Sequence, residues 1–272
     1  MGTPALLRRY LIIALTSLSI GYAQEAPSAS NSPTVNPFKD GEWFEYGVRY
    51  GPFNASAISL KLTATTWQNK PLFHAQGYGK STGLFRLFFK VEDYYESYFD
   101  TNNGLPYRFI RNIDEGGYTK NIEMQFDHEQ GRVEYIDKKK DTVKQLTFKP
   151  GAQDMISAFY YLRKQFPQAL IPEGEGFELD MFFDQQDYRF RLVYLGKETI
   201  STTFGKIRCL KFIPSVQSGR VFKDTESVTI WVSDDLNRIP IRIEAGLAVG
   251  TLHIDLERFR NLNNPFEIQV TQ

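Results

Sequence analysis

Residues 227–258 read SVTIWVSDDLNRIPIRIEAGLAVGTLHIDLER, and this stretch decides the fold class. Apolar and polar side chains alternate over residues 227–233, 239–245 and 251–258, and short turn segments separate these runs. Alternation with a period of two is typical of strands that bury one face, and short turns between such runs indicate antiparallel neighbours. The stretch therefore predicts consecutive antiparallel strands.

The same pattern recurs along most of the chain. Aromatic residues make up 15% of the sequence, which favours a sheet over a helix bundle. We expect a mainly β fold: a large curved antiparallel sheet, barrel-like or partly closed, because closing or covering a sheet removes edges that would otherwise aggregate. The other alternating runs are residues 42–49, 57–65, 91–99, 107–112, 118–126, 133–136, 143–148, 177–183, 188–195 and 206–213.

One segment near the middle of the chain has helical spacing instead. Over residues 154–165 the apolar side chains recur every three or four positions, Asp154 is in place to cap the start, and Phe166 and Pro167 end the segment. We therefore expect one main amphipathic helix whose apolar face lies against the sheet. A shorter segment, residues 84–89, fits a helix or a strand. The apolar positions of the main helix are Met155, Ile156, Phe159, Tyr160 and Leu162.

The N-terminus has the three parts of a secretory signal peptide. Arg8 and Arg9 supply positive charge, residues 11–20 are apolar, and residues 21–23 read Gly-Tyr-Ala, the small-x-small ending of a cleavage site. We expect cleavage after Ala23 and export to the periplasm. Residues 24–37 are small, polar and rich in proline, which predicts a flexible leader. We expect residues 38–272 to form a single β-rich domain.

Charge and cysteine content exclude several kinds of protein. Lysine plus arginine and aspartate plus glutamate both number 32, so there is no basic excess to bind a phosphate backbone, and we expect no nucleic-acid partner. Cys209 is the only cysteine, which excludes disulfides within the chain and zinc sites with several cysteines. Its strand-like surroundings predict a buried side chain. No later apolar run approaches the length of about 18 residues that a membrane-spanning helix needs, so we expect no transmembrane segment in the mature chain.

The densest cluster of acidic and aromatic residues lies in residues 91–99. Three acidic residues are interleaved there with four aromatic ones: Glu92, Asp93 and Glu96 with Tyr94, Tyr95, Tyr98 and Phe99. Aromatic rings beside carboxylates form a platform for sugars, whereas a core strand with a charged outer face produces the same sequence. On the first interpretation, Tyr94 and Tyr98 are candidate ligand-binding residues.

A polar row lies in the last predicted strand. Thr251, His253, Asp255 and Glu257 fall on one strand face, and apolar residues fall on the other. Such a row lines a cavity, coordinates a cation or is simply the solvated face of a half-buried strand. His253 and Trp231 complete the candidate ligand-binding residues.

No set of residues in the sequence identifies a reaction. The acidic pair at residues 234–235 falls in a turn, where adjacent side chains point apart and normally serve the turn itself. The three histidines have no metal-ligand spacing, and the phosphate loop and the dinucleotide-binding fingerprint are absent from the sequence. We therefore name no catalytic residue, no metal and no cofactor, and the sequence favours a protein that is not an enzyme.

Several strings together resemble a known family. They are VEDYYESYFD at residues 91–100, GLPYR at 104–108, DMISAFYYLR at 154–163 and IWVSDDLNRIP at 230–240. With the exported N-terminus, the chain resembles the bacterial family catalogued as domain of unknown function 3108 over roughly residues 41–257. The resemblance implies an exported, mostly β protein of Gram-negative bacteria. It supplies no activity and no site residues.

These features support three hypotheses of function. The first is a non-catalytic periplasmic binding or carrier protein for an amphipathic envelope molecule, such as a glycan or an acylated ligand, held in a cavity lined by aromatic side chains. The second is a scaffold of an envelope assembly, which predicts a protein partner and an exposed apolar patch. The third is an envelope hydrolase, which predicts a nucleophile and base, or two carboxylates, in one cleft.

Overall fold

The computed structural model describes residues 36–83, 86, 90–165, 171–216, 228–246 and 250–269. Within these ranges the chain forms 14 strands and one helix of 11 residues, α1 (Met155–Gln165). The strands are β1 (Trp43–Tyr50), β2 (Phe53–Trp67), β3 (Lys70–Ser81), β4 (Val91–Asp100), β5 (Pro106–Glu115), β6 (Tyr118–Asp127), β7 (Arg132–Asp137), β8 (Thr142–Thr147), β9 (Gly176–Phe183), β10 (Gln186–Thr202), β11 (Gly205–Val216), β12 (Val228–Ser233), β13 (Pro240–Gly246) and β14 (Thr251–Arg260).

All these strands belong to one antiparallel sheet. Its order is β8-β7-β6-β5-β4-β3-β2-β1-β14-β13-β12-β11-β10-β9, so two meanders of consecutive strands join where β1 pairs with β14. The sheet is open, because β8 and β9 stand at its two ends and do not pair with each other. The prediction of a large, mainly β antiparallel sheet is confirmed.

The sheet curves until its β9 end lies against β5 and β6. Arg111 on β5 and Lys120 on β6 both donate to the Asp184 carboxylate in the β9–β10 turn, at 3.1 and 2.9 Å. The segment that leads into α1 covers part of the free β9 edge, because the backbone of Gln153 exchanges hydrogen bonds of 2.8 and 2.9 Å with that strand. These contacts bring the ends of the open sheet together without a continuous ladder between them.

Helix α1 packs against one face of the curved sheet. Tyr160 is 1% exposed, and its ring lies 5.2 Å from the ring of Phe99 on β4 and 5.0 Å from that of Phe38. Ile156 packs against two clusters of buried apolar side chains, one that contains Tyr160 and Phe99 and one that contains Phe109 and Phe182. The predicted apolar face is therefore confirmed, except that Met155 is 40% exposed because it lies on the solvent side of the first turn.

Asp154 caps α1 as predicted and also fixes it to the sheet. Its Oδ1 accepts hydrogen bonds from the backbone N–H groups of Ile156 and Ser157, both at 2.8 Å, and the Ser157 hydroxyl accepts from the Asp154 N–H at 2.9 Å. This reciprocal arrangement satisfies donors that the first helical turn leaves free. The hydroxyl of Ser97 on β4 donates to Asp154 Oδ2 at 2.6 Å, which ties the cap to the sheet.

The far end of α1 is held by an ion pair that the sequence analysis did not predict. The Arg163 guanidinium donates to both carboxylate oxygens of Glu42, from Nη1 at 2.7 Å and from Nη2 at 2.8 Å. Nη2 also donates to the Pro37 carbonyl, and Nε donates to the Asn237 carbonyl. The rings of Phe38, Phe44, Phe159 and Tyr160 lie 5.2–5.6 Å from the guanidinium carbon.

Strand β3 was not predicted, and β10 is longer than predicted. The β3 sequence KPLFHAQGYGKS contains one proline and two glycines, which weaken any alternating pattern. The strand nevertheless pairs along its whole length with β2, and from Leu72 to Lys80 with β4. Strand β10 continues past residue 195 through an irregularity in its pairing with β11, and ends at Thr202. Pairing with neighbouring strands therefore determines that β3 forms and how far β10 extends.

Several predictions fall outside the described residues. These are the signal peptide, most of the leader and, apart from Arg86, the short segment at residues 84–89. The contacts of the fold begin at Asn36, whose carbonyl accepts hydrogen bonds from the side chains of Asn263 and Asn264. Within the part of the chain that the structure describes, no helix has the length and apolar character needed to cross a membrane.

Candidate functional site

Strand β4 divides its side chains between two faces of the sheet. Ser97 and Phe99 point toward α1, where they contact the cap and Tyr160. Because successive side chains alternate across a strand, the candidate residues Tyr94 and Tyr98 lie on the opposite face, which we call the outer face. They therefore line no cavity between the sheet and the helix.

Tyr94 and Tyr98 belong to two stacked ring pairs on the outer face. Tyr98 stacks on His74 with ring centroids 4.0 Å apart, and Tyr94 stacks on Tyr78 at 4.5 Å. The register of β3 and β4 places the members of each pair directly opposite each other. We call these four rings the aromatic face. Sequence reasoning missed its β3 half, because β3 itself was not predicted.

Charged groups surround the aromatic face. His74 Nε2 lies 2.7 Å from Glu96 Oε2. The Arg108 guanidinium lies 5.5 Å from the centre of the Tyr98 ring, so this ring lies between His74 and Arg108. Arg108 also donates to Glu123 at 2.8 Å. Hydrogen bonds from Arg108 and Lys138 outweigh the desolvation of Glu123 and lower the pKa of that carboxyl to about 2.

The hydroxyls of Tyr78 and Tyr98 remain protonated at neutral pH. Desolvation, with smaller contributions from Tyr94 and Glu92, raises the pKa of Tyr78 to about 12. Desolvation and the neighbouring Glu96 carboxylate also raise the pKa of Tyr98. The aromatic face therefore offers hydroxyl donors, carboxylate acceptors and ring surface, a combination suited to a ligand with many hydroxyl groups.

The other two candidate residues lie in the opposite half of the sheet. Trp231 on β12 is 7% exposed, and its indole N–H donates to Glu198 at 3.1 Å. His253 on β14 is half-buried, with Nδ1 3.3 Å from the Glu244 carboxylate. Strands β1 and β2 separate this region from the aromatic face. The four candidates therefore belong to two regions.

A pocket of about 330 Å³ lies beside β14, in the half of the sheet that contains Trp231 and His253. Its lining includes Arg49, Arg242, Asp255 and Glu257, together with hydroxyl residues 201–203 at the end of β10. Asp255 and Glu257 are members of the predicted polar row. Both carboxylate oxygens of Asp255 are paired, one with Arg49 at 2.5 Å and the other with Arg242 at 2.6 Å. These two contacts outweigh desolvation and hold the pKa of Asp255 below its ordinary value.

Two acidic side chains meet elsewhere, on β4 and β5. Asp93 is 9% exposed and shares a hydrogen bond with the Glu115 carboxyl group, and desolvation together with this contact raises the pKa of Asp93 to about 6. Carboxyl pairs that hydrolyse glycosides flank the scissile bond and stand about 5–10 Å apart. The Asp93 and Glu115 carboxyl groups are in hydrogen-bonding contact, so they do not match that geometry.

One serine has the spacing of a hydrolase elbow, because residues 79–83 read Gly-Lys-Ser-Thr-Gly. Ser81 ends β3, is 1% exposed, and its hydroxyl accepts a hydrogen bond from the Val91 N–H at 2.9 Å. The elbow of hydrolases instead presents an exposed serine beside a histidine. Here His74 and His128 hydrogen-bond to other groups, and His253 lies 3.3 Å from the Glu244 carboxylate. The motif match therefore does not correspond to a catalytic serine.

Cysteine and metal chemistry add no further site. Cys209 is fully buried as predicted, and burial raises the pKa of its thiol to about 12, so the reactive thiolate is scarce at neutral pH. Among the residues described by the structure, no group of three histidine, cysteine, aspartate or glutamate side chains is placed to hold a metal ion. Asp235 accepts hydrogen bonds within its own turn from Ser233, Asn237 and Arg238, as expected for the acidic pair.

The open antiparallel sheet with a helix against one face defines a β-barrel-like class of protein. A β-barrel-like protein of domain of unknown function DUF1849 from Brucella abortus has this fold, with a TM-score of 0.53 and 8% identity, covering 84% of this chain and 100% of that one. The family described as protein of unknown function (DUF3108) matches residues 45–257, and the chain belongs to this family. The family resemblance inferred from the sequence is thereby confirmed.

Two other solved structures are less similar. A putative lipoprotein from Parabacteroides distasonis has a TM-score of 0.33 and 12% identity, covering 83% of this chain and 99% of that one. A DUF1089 family protein from Pseudomonas aeruginosa has a TM-score of 0.37 and 12% identity, covering 70% and 89%. No curated protein matches the sequence.

Proposed function

We propose that the protein is an exported, non-catalytic binding protein of the bacterial cell envelope, and that its ligand is a glycan bound at the aromatic face. The observation that carries the proposal is the pair of ring stacks on β3 and β4, with carboxylates interleaved between the rings on the same outer face. The chain presents this combination to solvent, where a long polymer has access.

The chemistry of a sugar ring fits this surface. The C–H face of a sugar packs on an aromatic ring, and its hydroxyl groups donate to carboxylates. Tyr94 is 44% exposed and lies between Glu92 and Glu96 along the same strand face. Neighbours on one face of a strand are about 7 Å apart, so both carboxylates are within reach of a sugar seated on Tyr94.

An acylated ligand inside the sheet is the weaker form of the carrier hypothesis. Where α1 packs on the sheet, the face that would hold an acyl chain is filled by Tyr160, Phe99 and Phe38, which pack together in the buried core. An acyl chain entering there would have to displace these side chains. The proposal therefore places the ligand on the outer face.

Export is supported by the N-terminal pattern of residues 1–23, which has a basic start, an apolar stretch and a small-x-small ending. The test is an intact-mass measurement on protein recovered from the periplasmic fraction of its host. We expect a mature chain that begins at Gln24. A chain that retains Met1, or that is found only in the cytoplasm, would overturn this part of the proposal.

Native mass spectrometry of the mature protein from its own periplasm tests the binding function. We expect a bound mass that is lost on denaturation and has the fragment pattern of a glycan. The variant Tyr94→Ala should lose this mass, and Tyr118→Ala, which removes another exposed tyrosine outside the aromatic face, should keep it. A mass without any bound ligand would overturn the proposal and favour the scaffold hypothesis. Cross-linking in cells would then identify the protein partner of the scaffold.

A further inference from the structure

The pocket beside β14 is separate from the aromatic face. We infer that it binds a zwitterionic group, namely the ammonium and carboxylate of an amino acid or short peptide, and that Glu257 receives the ammonium. This inference does not rest on glycan binding, because the pocket is built around β1, β13 and β14 and the end of β10, and β2 separates it from the aromatic face on β3 and β4. The two sites can be occupied independently.

A β-bulge directs Glu257 into this pocket. In the pairing of β1 with β14, Glu45 lies opposite Arg258 and Tyr46 lies opposite Leu256, so Glu257 is an extra residue without a partner on β1. An extra residue of this kind bends the strand and re-aims its side chain, and bulges are frequent next to functional sites for that reason. The bulge thus explains why this carboxylate leaves the regular row of β14.

A glycine on β1 makes room for the Glu257 carboxylate. A Cβ atom at Gly47 would lie 2.0 Å from Glu257 Oε1, far inside van der Waals contact. Gly47 has an ordinary strand conformation in a paired segment, so backbone geometry does not require glycine there. The close approach of the carboxylate is the feature that requires it.

The charged side chains of the pocket form a group with a net positive charge and a separate negative carboxylate. Arg49 and Arg242 both bind Asp255, which leaves this trio with one positive charge. Arg49 uses one terminal nitrogen for Asp255, and its side chain is 49% exposed, so it retains donors for a ligand carboxylate. Glu257 forms no ion pair within the part of the chain that the structure describes, and its negative charge faces the same pocket.

A short peptide matches this arrangement. The positive trio and the free Glu257 carboxylate line one pocket, so a ligand there meets groups that attract its carboxylate and its ammonium. A dipeptide carries one terminal ammonium and one terminal carboxylate. The hydroxyl groups of Ser201 and Thr203, which also line the pocket, can hydrogen-bond to a peptide group.

Titration calorimetry with L-alanyl-L-alanine tests the inference on the mature protein. We expect saturable binding with a stoichiometry of one. N-acetyl-L-alanyl-L-alanine, which lacks the ammonium, and L-alanyl-L-alanine amide, which lacks the carboxylate, should each bind at least tenfold more weakly. Absence of saturable binding, or equal binding of the blocked peptides, would overturn the inference.

Three variants locate the binding. Glu257→Gln removes the charge without changing the size of the side chain, and Gly47→Ala displaces the carboxylate, so both should weaken binding of the dipeptide at least tenfold. The matched control is Glu45→Gln, which removes a charge that is paired with Arg258 outside the pocket. Binding in Glu257→Gln equal to that of the wild type would overturn the assignment even if Gly47→Ala failed to fold.

The same variants separate this inference from the proposed function. Glu257→Gln should keep the glycan mass seen by native mass spectrometry, and Tyr94→Ala should keep binding of the dipeptide. If Tyr94→Ala also abolished dipeptide binding in a folded protein, the two sites would be one, and the inference of an independent pocket would be wrong.

Discussion

The Arg163 guanidinium donates two hydrogen bonds of 2.7 and 2.8 Å to the Glu42 carboxylate. The Arg163 side chain is 3% exposed and that of Glu42 is 0% exposed. The two residues are 121 positions apart, one in the last turn of α1 and the other just before β1. The pair therefore joins the middle of the chain to the start of the sheet. Because the guanidinium also binds the Asn237 carbonyl before β13, one side chain holds three separate segments together.

Replacement of Arg163 by methionine should destabilise the protein strongly. The substitution leaves the Glu42 carboxylate buried without its partner, and removing one member of a buried ion pair typically costs about 3–5 kcal/mol. The measurement is the free energy of unfolding in urea. The control is Arg189→Met, which removes an exposed arginine of β10 that pairs with Glu178 and should cost far less, because solvent screens an exposed ion pair.

Replacement of both partners should cost less than the sum of the two single substitutions. The double variant Glu42→Leu with Arg163→Met leaves no unpaired charge in the core, so part of the lost stability returns. A double-mutant cycle in urea measures this coupling. Additive losses would contradict the interpretation of the pair as a charge-compensated link between α1 and β1.

Local alternation is sufficient to predict most of the sheet. Strands such as β12, β13 and β14 have a clear period of two, and Asp154 marks the start of α1 at the correct residue. Alternation carries no information about distant partners, however. The pairing of β1 with β14, and the position of β3 between β2 and β4, depend on tertiary contacts that no local window contains.

The candidate site was predicted only in part, for a related reason. Tyr94 and Tyr98 stand out in the sequence because acidic residues flank them, but their stacking partners lie on β3, whose glycines conceal the strand. Glu257 was placed in the polar row of β14, yet its special position comes from a bulge opposite Gly47. A bulge depends on the register of two strands, so it is invisible in either strand alone.

Acidification from pH 7 to pH 5 should stabilise the protein through Asp154. Burial raises the pKa of this carboxyl from 3.8 to about 6 in the folded state. A group whose pKa is higher when folded binds protons more tightly in the folded state, so its stabilising contribution is complete below about pH 4 and is lost as the pH rises through 6. We expect the free energy of unfolding in urea to be larger at pH 5 than at pH 7.

The variant Asp154→Asn tests the origin of this pH dependence. Asparagine still caps a helix well and does not titrate, so the change in unfolding free energy between pH 5 and pH 7 should become smaller. Asp93 has a similarly raised pKa of about 6, and Asp93→Asn should remove a further share. An unchanged pH dependence in the double variant would show that neither carboxyl is its source.

Glu123 should have the opposite pH dependence. Its pKa falls from 4.5 to about 2 because Arg108 and Lys138 hydrogen-bond to it, so its contribution to stability is present above pH 4.5 and is lost as the pH falls through 2. We expect Glu123→Gln to cost about 1–3 kcal/mol at pH 7 and almost nothing near pH 2. Urea unfolding of both proteins across this range is the measurement, and a cost that persists at pH 2 would assign the effect to packing instead of charge.

The neighbours Tyr98 and Phe99 should separate binding from folding, because they lie on opposite faces of β4. Tyr98→Ala removes a ring from the aromatic face, so we expect at least tenfold weaker glycan binding in a protein that still unfolds cooperatively. Phe99→Ala removes a ring that is 1% exposed and stacked on Tyr160, and it should cost about 3–5 kcal/mol. Tyr98→Phe, which keeps the ring between His74 and Arg108, should retain most of the binding. If Tyr98→Ala were instead as destabilising as Phe99→Ala, Tyr98 would be a structural residue, and the glycan site would have to be sought around Tyr94 alone.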